Sequence, residues 1–366
     1  MIVEPGNTPV IKSKIFSKLW GIPELYYKLE GTNPTGTHKD RIASSICKYA
    51  KEKGFETVAV ATCGNFGASI AYYAKVNSLI CRVYIPDNYH STRLRDIIGV
   101  GASVHYLPGK YEDVVKKCGE ISDQNGWFNA SPNNKIVKTI SFDQYGEIAR
   151  ELVDQLKEID LISIPVGNGT TLAGIYCGFL KEFENGRIES IPKLIAASTI
   201  HGNPIVTSLN KELKQILILE PDLLKETEIN EPLISYESFD GQEALDFLNS
   251  TKGCAFNLAD SAMINTSKQL YDFEGLSVLP ASTSSLLAVN LCIKNNPSLK
   301  NKKIVCIFTA RGSIVPRVSN VSKVLMALHE ERPYKVSAKV SQEDNQAEIV
   351  AVTKRDGKKK QIMKVE

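Results

Sequence analysis

The sequence predicts an α/β protein built on mostly parallel sheet, and two observations carry that prediction. Short apolar runs alternate with longer segments whose apolar residues recur at helical spacing. The turns between them repeatedly place Gly, Asn, Ser or Thr at the carboxyl end of a run. Strands and helices that alternate in this way fold as βαβ units, with helices covering both faces of a twisted sheet. A chain of 366 residues is long enough for two domains, each with its own core.

Composition narrows the function classes. Hydrophobic residues make up 43% and charged residues 23%, as in ordinary soluble globular proteins. The formal net charge is +3 with both signs interspersed, which gives a nucleic-acid partner no support. The opening MIVEPGNTPVIKSKIF lacks a targeting pattern, and nowhere do about eighteen apolar residues run together, so a cytoplasmic protein without a membrane anchor is expected. Eight cysteines form no CxxC pair, and reduced structural thiols are expected rather than disulfides or a metal site.

In chain order, Gly6-Asn7-Thr8-Pro9-Val10 is a turn entering an extended run, and a short strand over 25–29 delivers the chain to LEGTNPTGTHKDR, residues 29–41. There Asn33-Pro34 and Thr35-Gly36 form turns, and Thr37 is suited to cap a helix with Asp40 in its first turn. Asp40 and Arg41 read as helix-start electrostatics. Ile42, Ala43, Ile46, Cys47, Tyr49 and Ala50 then recur at helical spacing. A strand over 58–62 meets Cys63-Gly64-Asn65-Phe66-Gly67, which opens a helix through Ala68, Ile70, Ala71 and Ala74. Next come a strand over 80–85, a helix over about 91–98, a strand over 103–107 and a helix over about 111–125. Residues 127–140 lack periodicity and read as a crossing loop, followed by a helix over about 140–157.

A buried strand over 161–166 ends at Gly167-Asn168-Gly169-Thr170-Thr171, with a helix through Leu172, Ala173, Ile175 and Tyr176 beyond it. A strand follows at 194–198, and 209–275 reads as mainly helical. A strand over 276–279 enters Pro280-Ala281-Ser282-Thr283-Ser284-Ser285 and a helix to about 293; the last strand of the main body, 304–308, ends at Thr309-Ala310-Arg311-Gly312-Ser313. Beyond residue 331, near-alternation over 335–340, 348–352 and 360–365, with turn formers between, predicts a small antiparallel β appendage. Its Lys354–Lys360 stretch fits a solvated edge strand better than a nucleic-acid arm.

Four strand ends therefore carry polar chemistry, and ligands bind at the carboxyl ends of parallel strands. Gly167 to Thr171 offers backbone amides and two hydroxyls at a helix start, a phosphate cradle that is neither GxGxxG nor GxxxxGK[ST]. It is equally an ordinary strand-to-helix turn. Thr62, Cys63, Gly64 and Asn65 suit a carboxylate, or simply cap a helix. Lys39 stands at the positive end of a helix dipole, which favours the free amine that attacks aldehydes; a solvated helix-start lysine is the alternative. Together an amine nucleophile, a phosphate cradle and a carboxylate cradle point to an aldehyde cofactor bearing a phosphate and handling an amino acid.

EGTNPTGTHKDR resembles the Schiff-base lysine segment of the fold type II, tryptophan synthase β-like, pyridoxal-phosphate enzymes, and is close to the NPTGSFKDR form of threonine synthases. ATCGNFGASIAYYAK resembles that family's substrate-carboxylate loop, VGNGTTLAGIYCGF its glycine-rich phosphate loop, LPASTSSLLAV its EPAS-type segment, and FTARGS the strand end facing the pyridine nitrogen. The resemblance covers about residues 5–320 and leaves out the C-terminal appendage. It implies two open, mostly parallel twisted sheets with flanking helices: a large cofactor domain, 1–45 and 146–330, an inserted domain, 46–145, that closes on substrate, and the appendage, 331–366. It implies pyridoxal 5'-phosphate as cofactor, a small amino-acid substrate and a homodimer.

By the same resemblance Lys39 is the Schiff-base lysine and proton shuttle, flanked by His38. Asn65 would meet the cofactor's 3' oxygen, Gly167, Asn168, Gly169, Thr170 and Thr171 its phosphate, and Thr309 its ring nitrogen. Thr62, Cys63 and Gly64 would grip the substrate carboxylate. Two departures bear on substrate. Phe66 stands where threonine synthases have threonine, and Asn129-Ala130-Ser131-Pro132-Asn133-Asn134-Lys135 replaces their N-S-x-N-P-x-R phosphate-binding segment, with lysine for the bidentate arginine. The implied activity is threonine synthesis from O-phosphohomoserine; the alternatives are β-elimination or β-replacement on serine, O-phosphoserine or a related amino acid, and a non-catalytic binding protein that keeps the fold.

Overall fold

The computed structural model describes residues 4–62, 64–87 and 93–312, with the backbone of three further strands near the C-terminus. In chain order the elements are β1 (Val10–Lys12), α1 (Phe16–Trp20), β2 (Leu25–Leu29), α2 (Lys39–Glu52), β3 (Thr57–Ala61), α3 (Asn65–Val76), β4 (Ile80–Pro86), α4 (Leu94–Gly99), β5 (Ser103–Leu107), α5 (Tyr111–Asn125) and β6 (Phe128–Asn129). They continue with α6 (Lys135–Leu156), β7 (Leu161–Pro165), α7 (Thr170–Glu184), β8 (Lys193–Thr199), α8 (Pro204–Asn210), α9 (Gly241–Ser250), β9 (Cys254–Leu258), α10 (Asp260–Glu274), α11 (Ser284–Asn295) and β10 (Ile304–Phe308).

Two open sheets result. The larger has the order β1-β2-β10-β7-β8-β9, and the smaller β5-β4-β3-β6. Every pairing in them is parallel except β1 with β2. Strands β3, β7 and β10 are buried along their whole length, as expected where helices cover both faces of a parallel sheet. The appendage contributes β11 (Tyr334–Val340), β12 (Ala347–Thr353) and β13 (Lys359–Val365), paired antiparallel in that order as the alternation predicts.

Four sequence expectations need correction. Residues 127–140 are not one loop: Phe128 and Asn129 pair with Val58 and Ala59, and α6 begins at Lys135 with the Asn134 side chain accepting from the Ile136 N–H at 2.9 Å. Residues 209–275 are not mainly helical, because 211–240 is largely irregular and β9 forms the sheet edge against β8. Residues 276–279 form no strand; Val278 alone bridges to Arg311. Within the expected helix over 91–98, α4 starts at Leu94, while 91 and 92 lie outside the described residues.

A further correction concerns Arg41, which is no surface helix-start charge. Its guanidinium is 3% exposed and donates to both Glu30, at 2.7 and 2.8 Å, and Glu151, at 2.8 Å. Lys28, wholly buried, donates to the same Glu151 at 2.7 Å and to the Thr8 carbonyl at 2.7 Å. This knot ties β2, the turn at Glu30, α2 and α6 together. Among described helix pairs, α6 and α7 meet most closely: a Cβ on Gly178 would stand 2.3 Å from the Gly146 carbonyl oxygen, and one on Gly174 2.6 Å from the Tyr145 Cβ. Glycine is required at that crossing because the helices touch backbone to backbone.

Two buried cations depend on one carboxylate, so Glu151→Gln should cost about 3–5 kcal/mol in urea unfolding, the scale for breaking a buried ion pair. The pair of cations holds Glu151 down to about 2, below the usual carboxylate range, although burial alone would raise it. A depressed carboxylate stabilises the fold above its unfolded pKa and loses that contribution as pH falls through its folded one. The wild-type protein should therefore lose stability between about pH 4.5 and 2, and Glu151→Gln should show a flatter acid limb.

Candidate functional site

The carboxyl ends of β3 and β7, the end of β10 and the start of α2 open onto one cleft of about 360 Å³. Lys39, His38, Thr62, Gly64, Asn65, Phe66, Thr309 and the whole run Gly167 to Thr171 line it. Cys63 lies outside the described residues. Asn129 and Lys135 do not line the cleft. The Asn129 side chain instead donates to Asn133 at 3.1 Å and accepts from the Ser131 N–H at 2.9 Å, and Lys135 is exposed at the first position of α6. The lysine that reaches the cleft is Lys138, three residues on, paired with Asp240 at 3.3 Å and with Glu243.

Lys39 stands at the first helical position of α2, and Thr37 Oγ1 accepts its backbone N–H at 3.3 Å. Asp40 does not serve the helix start; it turns back to accept from the Thr35 N–H at 2.6 Å and hydroxyl at 2.5 Å, and so closes the preceding turn. The Lys39 Nζ lies 5.6 Å from the ring centroids of both Phe66 and Tyr145. Burial lowers its pKa to about 8, with Glu231 and Asp240 pulling the other way. Desolvation is the largest cause and outweighs both carboxylates.

His38 is buried and stacked on Tyr145, ring centroids 5.2 Å apart. Its Nδ1 lies 3.1 Å from the Thr309 carbonyl oxygen and its Nε2 3.2 Å from Thr171 Oγ1, an arrangement satisfied when Nδ1–H donates to the carbonyl and Nε2 accepts the threonine hydroxyl. Burial, reinforced by Lys39, holds its pKa well below the usual histidine range, so the ring is neutral. His38 therefore links the lysine helix, the start of α7 and the end of β10. The Thr309 hydroxyl pairs with Ser282 Oγ at 2.7 Å, a neutral contact at the end of β10.

The loop before α7 fits an anionic group. Gly169 has φ +90°, in the region that favours glycine. A Cβ on Gly167 would stand 2.6 Å from the Pro232 carbonyl oxygen. The first N–H groups of α7 have no partner within the helix and face a dipole that favours anions. The Asn168 Oδ1 is buried without a hydrogen-bond partner among the described residues; turned over, the same amide would present its NH2 donors there. Thr170 Oγ1 is already committed to Asp240 at 2.5 Å, so its backbone rather than its hydroxyl is free for that ligand. At the start of α3, Thr62 Oγ1 accepts the Gly67 N–H at 3.2 Å, while Asn65 Oδ1 accepts from Arg93 at 2.5 Å.

Sequence reasoning missed Lys138, Glu231 and Asp240. Lys138 was recoverable from Asn134, whose capping role moves the helix start to Lys135. Glu231 and Asp240 carried no local signal, since both reach the cleft on the irregular stretch between α8 and α9. Among the described residues no group of three or more His, Cys, Asp or Glu is placed to hold a metal ion, and no helix is long and apolar enough to cross a membrane.

Comparison with known proteins agrees with this arrangement. Residues 3–310 match the family model described as pyridoxal-phosphate dependent enzyme. The threonine synthase of Methanocaldococcus jannaschii is 31% identical over 317 residues, spanning 84% of this chain and 75% of that protein. The threonine synthase of Methanosarcina acetivorans is 29% identical over 315 residues, with the same coverage of 84% and 75%. Among solved structures, maize serine racemase superposes with a TM-score of 0.69 at 19% identity, covering 89% of this chain and 94% of that one, a likeness of fold. The amine, the anion loop and the two-sheet frame fit the family's cofactor, and the chain belongs to the pyridoxal-phosphate dependent enzymes, with pyridoxal 5'-phosphate as its cofactor.

Proposed function

We propose that this enzyme eliminates the side-chain substituent of a small α-amino acid and adds water to the side chain, in the manner of a threonine synthase, which takes phosphate from the γ-carbon of O-phosphohomoserine and adds water at the β-carbon. One observation carries the reading: a desolvated Lys39 amine sits in the same cleft as an anion loop at the start of α7 and a carboxylate loop at the start of α3. Threonine synthases among the relatives support the choice of substrate.

The N–H groups at Gly167 to Thr171 would hold the cofactor phosphate, Lys39 would carry its aldehyde group, Asn65 would meet its 3' oxygen and Thr309 its ring nitrogen. The bound cofactor supplies an electron sink for charge that develops at the substrate's α-carbon. Thr62 and Gly64 bind the substrate carboxylate, which orients the α-proton toward Lys39. Lys39, as the free amine, takes that proton; burial lowers its pKa to about 8 and so keeps a share of it unprotonated near neutral pH. Neutral His38 fixes Thr171 and the backbone of Thr309 without adding charge to the cleft. Residues 46–145 form a unit that closes over the substrate and excludes water, against a large unit of 1–45 and 146–330, and two copies of the chain associate as a homodimer.

A second reading, β-elimination or β-replacement on serine, O-phosphoserine or a related amino acid, draws on Phe66 in the cleft and Lys135 outside it. Neither provides the bidentate grip expected for a substrate phosphate. Purified holoenzyme with O-phosphohomoserine should release threonine and phosphate in equal amounts; keto acid or a replaced product from serine, with no threonine formed, would move the assignment to the second reading.

Lys39→Ala should abolish turnover and the visible absorbance of lysine-bound cofactor while leaving the circular dichroism unchanged. Because only the free amine attacks the aldehyde, capture of added cofactor by cofactor-free protein should accelerate about tenfold per pH unit below the Lys39 pKa and level off above it. The break is expected near pH 8, and a break near the ordinary lysine value would contradict desolvation of this amine.

A further inference from the structure

Four carboxylates line the cleft: Glu112, Glu226, Glu231 and Asp240. Asp240 accepts from Thr170 and pairs with Lys138, and Glu112 accepts from Ser235 Oγ and the Tyr236 N–H, each at 3.2 Å. Glu226 lies toward Glu112 and Lys110, away from the amine. Glu231 is different. Like Glu226 it accepts no hydrogen bond from the described residues, but the charged group that acts on it is Lys39.

Its position is fixed by the chain on either side. Asn230, wholly buried, accepts the Thr227 N–H at 2.9 Å and donates to the Lys225 carbonyl at 3.0 Å. Pro232 packs its carbonyl against Gly167 so closely that a Cβ there would stand 2.6 Å away. Between these anchors the two Glu231 carboxylate oxygens come within 3.6 and 3.9 Å of where a Cβ on Gly64 would be. Glu231 thus faces the carboxylate loop from one side and the lysine amine from another, which is the volume a substrate side chain enters. Among the described residues this carboxyl group has no hydrogen-bond partner, so its partner there is the substrate or water.

We propose that Glu231 is a second proton-transfer group of this cleft, acting at the substrate's side chain while Lys39 acts at its α-carbon. The inference rests on the elimination and hydration reading above and assigns the proton that reading leaves without a carrier. The carboxyl proton passes to the leaving oxygen as the C–O bond breaks and its electron pair moves onto that oxygen. The resulting carboxylate then takes a proton from the water whose oxygen forms the new bond to carbon, and the carboxyl is restored. The same burial that frees the Lys39 amine raises Glu231 to about 7, with Lys39 opposing, so both of its protonation states are available near neutral pH.

The test uses holoenzyme carrying Glu231→Gln, which keeps size and polarity but not the proton. Exchange of the substrate α-proton with deuterated water, read by proton NMR, should stay within about threefold of wild type, while product release falls about 100-fold or more, the scale of a lost general acid or base. Glu231→Asp should recover part of the product rate. In cofactor-free protein, a carbon-13 carboxyl resonance absent from Glu231→Gln should titrate near pH 7. Product release by Glu231→Gln within about threefold of wild type, a loss of α-proton exchange equal to the loss of product, or a Glu231 carboxyl titrating in the ordinary range would each overturn the assignment. If instead wild-type enzyme exchanges the α-proton of no amino acid, it is the elimination reading itself that fails.

Discussion

The shared carboxylate of Glu151 is the constraint on which the rest of the site depends. It accepts from Lys28 on β2 and Arg41 on α2, and also from the Asn7 and Thr8 N–H groups at 2.8 and 3.3 Å. Glu30 closes the other side of Arg41 and accepts the Thr8 hydroxyl at 2.7 Å. Charges buried this deeply give little net stability over an apolar replacement, but they tolerate only one arrangement, because any slip leaves a charge unpaired. Arg41 follows Lys39 by two residues. Fixing its guanidinium therefore fixes where α2 begins, and with it the place of the amine on the cleft floor.

A second constraint places the opposite wall. Gly146 and Gly178 let α6 and α7 touch through their backbones, and Tyr145, beside that contact, stacks on His38. The His38 ring then reaches Thr171 in the first turn of α7 and the Thr309 carbonyl at the end of β10. Chain segments more than a hundred residues apart thus converge through one neutral imidazole. A charged imidazole would have to donate from both nitrogens, and burial beside Lys39 disfavours that state.

What the sequence disclosed follows from how local each signal is. The glycine-rich turn before α7, the turn before α3 and the lysine segment are each written in consecutive residues, since a turn, a cap and a helix start are decided within a few positions. The buried strands β3, β7 and β10 were legible for the same reason. Edge strand β9, Cys-Ala-Phe-Asn-Leu, alternates only weakly and owes its conformation to pairing with β8, more than fifty residues earlier. The two-residue β6 is too short to have a period. Arg41 looked like a helix-start charge because its partners, Glu30 and Glu151, lie 11 and 110 residues away. Lys135 became the candidate phosphate ligand through its place in the segment resembling N-S-x-N-P-x-R, whereas Lys138, three residues along α6, reaches the cleft.

The floor of the cleft brings an amine and a carboxyl of opposite charge under one physical influence. Desolvation penalises whichever form of a group is charged, so it lowers Lys39 and raises Glu231 toward the same pH range. Their mutual attraction opposes both shifts but does not reverse either. Near neutral pH the uncharged pair, a free amine beside a protonated carboxyl, is consequently accessible without any third group to drive it. A base at one end of a substrate and an acid at the other are what an elimination needs, because the proton leaves from one carbon and the departing oxygen must receive one elsewhere. In water these two side chains would be an ammonium and a carboxylate; desolvation in the cleft, where Phe66 and Tyr145 stand beside the amine, is what makes the other two forms accessible.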